Sequence, residues 1–344
     1  MSDTPLLSVF IPAYNAASFI REAVESAIDN GYADLEIIVF DDGSTDATAT
    51  IVESIRHPAV RLIRQAWNGG VAAARATGVT LMRGKYAALL DADDIALPGR
   101  FGKQVGRLAA ADGPDIVGSA IDCFGDINGI VHYPLSDAEI RANLLFNASL
   151  ANPAVCMKLE PLRSERIAYS GEAGAVAEDY ALWVDAMCIG LRFENLPDVF
   201  TRYRRHSMAV SSALPFSAFG TRNIVIRRRV AQYHFPGMAP AEREALVDIL
   251  SHRLGMGDRW FSGIYAMSRA ALLAPTVPRI APALMRRLLS EHLLRTLQYA
   301  TTYDALTNDT LEWMTETNAD FEHWRMADDG ALDRQIVALV TADQ

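Results

Sequence analysis

Strand-length apolar runs alternate with helix-period segments from the start of the chain. LLSVFIPAY is followed by AASFIREAVESAIDN, LEIIVF by TDATATIVESIR, and VRLIRQ by GVAAARATGVTLMRG, before YAALLDADD. Strands joined through helices run parallel, and a parallel sheet must be covered on both faces. Ligands of such a sheet bind outside the carboxyl ends of its strands. In YAALLDADD one of those ends runs straight into Asp91, Asp93 and Asp94. Carboxylates this close raise one another's pKa unless a cation or a shell of hydrogen-bond donors keeps them ionised. A bound metal is therefore the first thing the sequence asks about.

Beyond about Pro98 the alternation loosens. DIVGSAIDCFG reads as one more strand, NASLANPAVCMKLEPL is irregular, and a helix begins near EDYALWVDAMCIG. From about Pro215 the strand signal disappears. The expected organisation is an α/β catalytic domain over residues 1–212 and a helical region over 213–344, serving acceptor handling, self-association or membrane approach. Charge divides that region: Arg222 to Arg295 holds twelve Arg against five acids, a balance of +7, and Asp304 to Gln344 holds ten acids against two Arg, a balance of −8. Leu284, Leu288, Leu289 and Leu293 form a helical stripe in the basic part, suited to packing on its own domain or to a surface or partner. The net charge of −10 excludes a general nucleic-acid binder, which needs a positive field to gather phosphates. Cys123, Cys156 and Cys188 are far apart and outside any C-x-x-C pair, so they read as core thiols in a reducing compartment. No basic segment followed by a long apolar one opens the chain, and the expected location is the cytoplasm, with the inner face of the membrane as an option.

Four stretches fall at strand ends. SVFIPAYN ends at Pro12, Tyr14 and Asn15; a Tyr and an Asn there can stack on and hydrogen-bond a base, although a Pro/Asn turn explains the same letters. EIIVFDDGSTDATATIV places Asp41 and Asp42 at the next end, with Ser44, Thr45 or Asp46 to cap the helix that follows. Two consecutive acids exceed the needs of one cap, and a carboxylate here can accept from a base N–H or a ribose hydroxyl. NGGVAAARATG sets glycines before a helix carrying Arg75, whose forked guanidinium suits oxygen-rich anions. Asp91 and Asp93 form an acid-x-acid pair, and Mg²⁺ or Mn²⁺ prefers carboxylate oxygens shared with substrate phosphates. Alone, such a pair is as readily a solvated turn.

Together, in this order and spacing, the four are specific. Pro12 to Asn15, Asp41 to Asp46, Asn68 to Arg75 and Leu90 to Asp94 resemble the strand-P-x-Y-N, strand-DDGSTD, N-x-G-x-x-x-A-R and L-D-x-D-D pattern of the family 2 glycosyltransferases, over about residues 6 to 212. The resemblance implies the GT-A fold, a nucleotide-binding, mostly parallel sheet flanked by helices. It also implies a nucleotide-sugar donor, a metal-binding D-x-D and transfer with inversion. By that pattern Pro12, Tyr14, Asn15 and Asp42 belong to the nucleoside site, and Arg75 stands near the ribose or diphosphate. Asp91 and Asp93 hold the sugar nucleotide, with Asp93 on the metal. AEDYALW resembles the family's E-D pair, which makes Asp179 the catalytic base, and YRRH resembles its Y-R-x-H segment, which brings His206 to the metal or diphosphate. The family's Asn after A-R is Ala76 here, which puts a minor helix contact in doubt.

The expected activity is transfer of a sugar from a nucleotide sugar, UDP-linked by preference, to a hydroxyl of a surface oligosaccharide, polysaccharide or lipid-linked glycan. Mg²⁺ or Mn²⁺ would neutralise the leaving diphosphate and a carboxylate would deprotonate the acceptor. Peripheral membrane contact and homo-oligomer formation through the helical region are further options. Two rivals differ in class. A D-x-D phosphatase carries its acids at the first strand, followed by Thr, unlike DADDIALP. A non-catalytic sugar-nucleotide or glycan-binding subunit would have no need of both Asp93 and Asp179. An acid pair at a helix start is also favourable against the helix dipole whatever its chemistry.

Overall fold

The computed structural model describes residues 6–164, 167, 169, 177–206, 223–251, 262–263, 266–267, 269–270 and 279–302. The chain forms two compact units, Met1–Arg222 and Asn223–Gln344.

The first unit is built on strands β1 (Leu7–Ala13), β2 (Leu35–Asp41), β3 (Val60–Arg64) and β4 (Tyr86–Leu89). Helices α1 (Ile20–Ile28), α2 (Thr48–Ser54) and α3 (Val71–Leu81) connect them in turn. β1 lies parallel between β2 and β4, and β2 pairs with β3. Both faces of β1 are buried, and the strand is apolar but for Ser8, whose hydroxyl donates to Glu36 Oε1 at 2.5 Å. Leu7, Val9 and Ile11 join Ile20, Ala23, Val24 and Ala27 of α1 in one core. Each such aliphatic side chain contributes about 1.5–3 kcal/mol on leaving water. Phe10 points to the other face and meets α3, where a β-carbon on Gly78 would stand 2.6 Å from Phe10 Cζ. Helix and strand approach this closely because position 78 carries no side chain.

The rest of the sheet has mixed polarity. β5 (Ile95–Ala96), β6 (Ile116–Gly125), β7 (Gly129–Val131), β8 (Cys156–Lys158) and β9 (Phe193–Arg205) complete the order β3-β2-β1-β4-β8-β6-β9-β5, with β7 on β6. β8 runs antiparallel to β4 and β6, β9 parallel to β6, and β5 antiparallel to β9. Helices α4 (Arg100–Ala109), α5 (Asp137–Asn143), α6 (Leu159–Ser164) and α7 (Glu178–Cys188), with a short 3-10 turn at Asn152–Ala154, complete the described elements of this unit. The stretch that reads as irregular contains β8, whose three residues are too few for a period to show. FENLPDVFTRYRR is one strand in spite of Pro197, because the register steps from Leu196 to Val199 there and leaves the proline unpaired. Cys123 and Cys156 are buried as expected; Cys188 is exposed at the last residue of α7, which corrects its reading as a core thiol.

The second unit is helical where described: α8 (Ile224–His234), α9 (Pro240–Leu250) and α10 (Pro282–Thr302). On α10 Leu289 and Leu293 are buried with Met285, and Leu284 and Leu288 are partly buried, so the leucine stripe faces inward. The acidic segment 304–344 and residues 213–222 lie outside the described residues. Among those described, no helix is long and apolar enough to cross a membrane.

Candidate functional site

The register of the parallel strands sets Ala13 beside Asp41, and Asp41 beside Arg64. Pro12 lies within β1, just before Ala13, and the chains that leave these ends carry Tyr14 and Asn15, then Asp42, then the loop 65–70. Tyr14 is exposed, with 48% of its surface open, and Asn15 adopts φ +50°, a left-handed geometry that Asn tolerates. Asn15 also ties the neighbouring turn: its N–H donates to Ser44 Oγ at 2.9 Å and its Oδ1 accepts from Thr45 N at 2.9 Å. Of the three capping candidates, Asp46 serves. It accepts from Thr48 Oγ1 at 2.5 Å, from Thr48 N at 2.9 Å and from Ala17 N at 3.0 Å, and these bonds, outweighing burial, hold its pKa below the ordinary value.

Asp42 is buried and committed. Its Oδ1 accepts from Gly69 N and its Oδ2 from Gly70 N, both at 2.9 Å, and Gln65 Nε2 donates to it as well. The carboxylate thus fixes the loop before α3. Gly43, at φ +76°, lies under that loop, and a β-carbon there would meet the Trp67 carbonyl carbon at 2.6 Å. Trp67 is 73% exposed. Its one sequence signal is an aromatic residue inside a polar, glycine-rich turn.

At the end of β4 the acids separate into different surroundings. Arg75, buried on α3, reaches Asp91 Oδ1 with Nη2 at 2.6 Å and Glu178 Oε1 with Nη1. Asn152, with its carboxamide oxygen toward the guanidinium, accepts from Nε at 3.2 Å and Nη2 at 3.1 Å, and the Tyr169 ring lies 5.9 Å from the Arg75 Cζ. Burial works against the charge on Arg75, yet Asp91 and Glu178 outweigh it and raise its pKa. The guanidinium expected at the ribose or diphosphate is therefore occupied by two carboxylates and a carboxamide. Asn152, Tyr169 and the bridging role of Glu178 escape sequence reading because they join Arg75 only through the fold.

Asp93 meets His206, with Oδ2 2.8 Å from Nε2. Burial and then Asp91 raise the Asp93 pKa, and the His206 hydrogen bond opposes them. The His206 ring stands 5.0 Å from Phe19, and its buried Nδ1 has no hydrogen-bond partner among the described residues. Asp94 is buried below. Its Oδ1 accepts from Arg204 N at 2.8 Å, and burial, then Asp91 and Asp93, push its pKa well up. Among the described residues no three His, Cys, Asp or Glu side chains form a cation cage. One carboxylate and one imidazole at hydrogen-bond distance instead suit a cation that completes its shell with diphosphate oxygens and water. The residues fit a shared Mg²⁺ or Mn²⁺ site, with Asp93 and His206 as the protein's donors.

Glu178 and Asp179 open α7, which has no side-chain cap. Glu178 is buried against Arg75, and its pKa is raised by burial with Arg75 opposing. Asp179 is half-buried and accepts from Tyr180 N at 2.7 Å. Burial lifts its pKa above the ordinary carboxylate value, Arg75 opposes and Asp91 adds. A half-buried carboxylate with a raised pKa suits proton abstraction near neutral pH. Arg75 thus links the D-x-D strand end to the E-D helix start.

Residues 8–157 match the family model for glycosyl transferase family 2. An uncharacterized glycosyltransferase of Haemophilus influenzae is 30% identical over 251 residues, spanning 68% of this chain and 76% of that protein. The chain belongs to glycosyl transferase family 2. Another relative of this glycosyltransferase is the Escherichia coli UDP-Glc:alpha-D-GlcNAc-diphosphoundecaprenol beta-1,3-glucosyltransferase WfaP, 28% identical over 212 residues, 60% of this chain and 80% of that one. Among solved structures, S. aureus TarS 1-349 in complex with UDP-GlcNAc superposes with a TM-score of 0.56 at 16% identity, covering 86% of this chain and 92% of that one. That likeness establishes the GT-A fold.

Proposed function

We propose that this glycosyltransferase moves a sugar, with inversion, from a UDP-linked donor to a hydroxyl of a lipid-linked or growing glycan, with Asp179 as general base. The observation that carries this reading is the pairing at the end of β4. Asp93 and His206 present a two-donor cation site, and Arg75 ties the adjacent Asp91 to Glu178, the residue beside Asp179. Tyr14 and Trp67 offer open aromatic faces beyond the strand ends for a nucleoside. Asp42, Asn15 and Gly43 hold the loops on which those aromatics stand, and Pro12 is the penultimate residue of the strand that delivers Tyr14.

The donor enters over the strand ends with its diphosphate toward Asp93 and His206. A bound Mg²⁺ or Mn²⁺ would neutralise charge on the departing diphosphate. Glu178 is neutralised by Arg75, so the second acid of the pair is left to accept the proton of the acceptor hydroxyl. Attack from the face opposite the diphosphate inverts the anomeric carbon. WfaP takes UDP-Glc and a diphosphoundecaprenol-linked sugar by its name; the UDP-sugar and lipid-linked acceptor proposed here draw on that relationship. The test is a panel of UDP-, GDP- and dTDP-sugars scored for cation-dependent release of nucleoside diphosphate, with no acceptor needed. Release from a UDP-sugar that stops on chelation supports the reading. Release that ignores chelation, or that requires GDP- or dTDP-sugars, refutes the cation or the UDP part respectively.

A further inference from the structure

Arg204, the Arg of the Y-R-x-H segment, is closely engaged beside the D-x-D turn, yet the resemblance gives a role only to the His of that segment. Its guanidinium lies over two aromatic rings, 4.4 Å from the Phe124 centroid and 5.0 Å from that of Phe19. Nε donates to the main-chain carbonyl of Asp93 at 2.8 Å, and Nη2 pairs with Glu22 at 2.5 Å. Its own backbone N–H donates to Asp94 Oδ1 at 2.8 Å. Directly after the acids, Ile95 and Ala96 pair with Arg202 and Thr201 of β9. The turn that carries Asp93 is thus bound to β9 at three successive points: the Asp93 carbonyl, the Asp94 carboxylate and the β5 ladder.

Two residues further along the strand line stands His206, and Phe19 touches both, at 5.0 Å from the Arg204 Cζ and 5.0 Å from the His206 ring. One arginine therefore grips the peptide of the carboxylate donor and shares its aromatic support, Phe19, with the imidazole donor. A cation held by only two protein donors depends on their spacing, since there is no third ligand to restore it. Arg suits this task and Lys does not. The planar fork reaches a carbonyl and a carboxylate at once while its face rests on aromatic rings.

We propose that Arg204 is the positioning residue of the cation site, setting the Asp93 carboxylate and the His206 imidazole at the separation a divalent ion requires. The proposal rests on the reading that Asp93 and His206 hold that ion.

Arg204→Lys keeps the positive charge and removes the fork; Phe124→Leu removes an aromatic support and leaves every charge in place. Mn²⁺ binding to each full-length protein is read by water-proton relaxation enhancement in the presence of UDP, and UDP affinity is measured separately with EDTA. Arg204→Lys should weaken Mn²⁺ binding about tenfold or more, the lower end of what the loss of an outer-shell partner costs. Phe124→Leu should weaken it in the same direction by less, and cation-free UDP affinity should stay at the wild-type value in both. A Mn²⁺ isotherm for Arg204→Lys that superimposes on wild type overturns the proposal, as does an equal loss of cation-free UDP affinity, which would mark general disruption of the turn. If Arg204→Lys does not fold, an unchanged Mn²⁺ isotherm for Phe124→Leu overturns it. Asp93→Ala separates the two levels. If that change leaves Mn²⁺ binding intact, the cation reading itself is wrong and Arg204 falls with it; if it abolishes binding while Arg204→Lys leaves the Mn²⁺ isotherm at the wild-type position, only the role of Arg204 is wrong.

Discussion

Replacing Arg75 with Met should unbalance the centre of the site. The guanidinium is buried and serves two acids, Asp91 Oδ1 at 2.6 Å and Glu178 Oε1, with Asp179 adjacent to the latter. At an effective dielectric near 20, each close pair is worth about 4 kcal/mol of gross attraction, most of which offsets the cost of taking three charged groups out of water. Deleting one member of a buried network strands the others, and the net loss is about 3–5 kcal/mol. For a unit of some two hundred residues this lowers the melting temperature by on the order of 10 °C. The loss should depend on pH with a definite sign. Burial already raises the Glu178 pKa in the folded protein and Arg75 opposes that rise, so without Arg75 it climbs further. A carboxyl raised on folding favours the folded state below its unfolded pKa, and that advantage disappears as pH rises through the folded value. The gap between variant and wild type is therefore small in acid and widens toward neutral pH. Thermal unfolding from pH 4 to pH 8 reads this directly. Adding Glu178→Gln to Arg75→Met removes one stranded charge and should return about 1 kcal/mol or more at pH 7. A variant within about 1 kcal/mol of wild type at every pH, or one whose loss is equal at pH 4 and pH 8, would show that Arg75 is not the shared counter-charge.

Four further outcomes follow from the same geometry. Asp179→Asn should cut sugar transfer about 10²-fold or more, the scale of a lost general base, with nucleotide affinity nearly unchanged; wild-type turnover would remove Asp179 from that role. In the unmodified enzyme the raised Asp179 pKa should move the acidic limb of the transfer rate above the range of an ordinary Asp, so activity falls early as pH drops. Asp93→Ala should abolish the cation-dependent part of UDP binding in calorimetry and, by relieving repulsion from Asp91, leave thermal stability without added cation unchanged or higher. Gly43→Ala places a β-carbon at φ +76° against the Trp67 backbone, which should cost about 1–3 kcal/mol and weaken UDP binding; a fully stable variant of wild-type affinity would show that the loop yields freely.

Much of the first unit is legible in the sequence because its causes are local. The period of the apolar runs separates β1, β2 and β3 from the helices between them, and buried parallel strands must be apolar on both faces. The order of acids, glycines and Arg75 along the chain then marks the strand ends where a ligand binds. β8 is invisible because three residues carry no period, and β9 is obscured by Pro197, which only a bulge accommodates. The division of labour among the acids is not legible either. Asp91, Asp93 and Asp94 are neighbours of one residue type, and only the fold gives Asp91 to Arg75, Asp93 to His206, and Asp94 to the Arg204 amide. Arg75 itself reads as an anion binder by type, yet the fold brings Glu178, 103 positions away, to fill its fork. The sequence by itself determined which residues stand at the carboxyl ends of the strands, since periodicity and turn chemistry act over a few residues. The tertiary structure alone decided which of those charges neutralise one another, because burial and charge pairing depend on distances in space that the spacing along the chain does not contain.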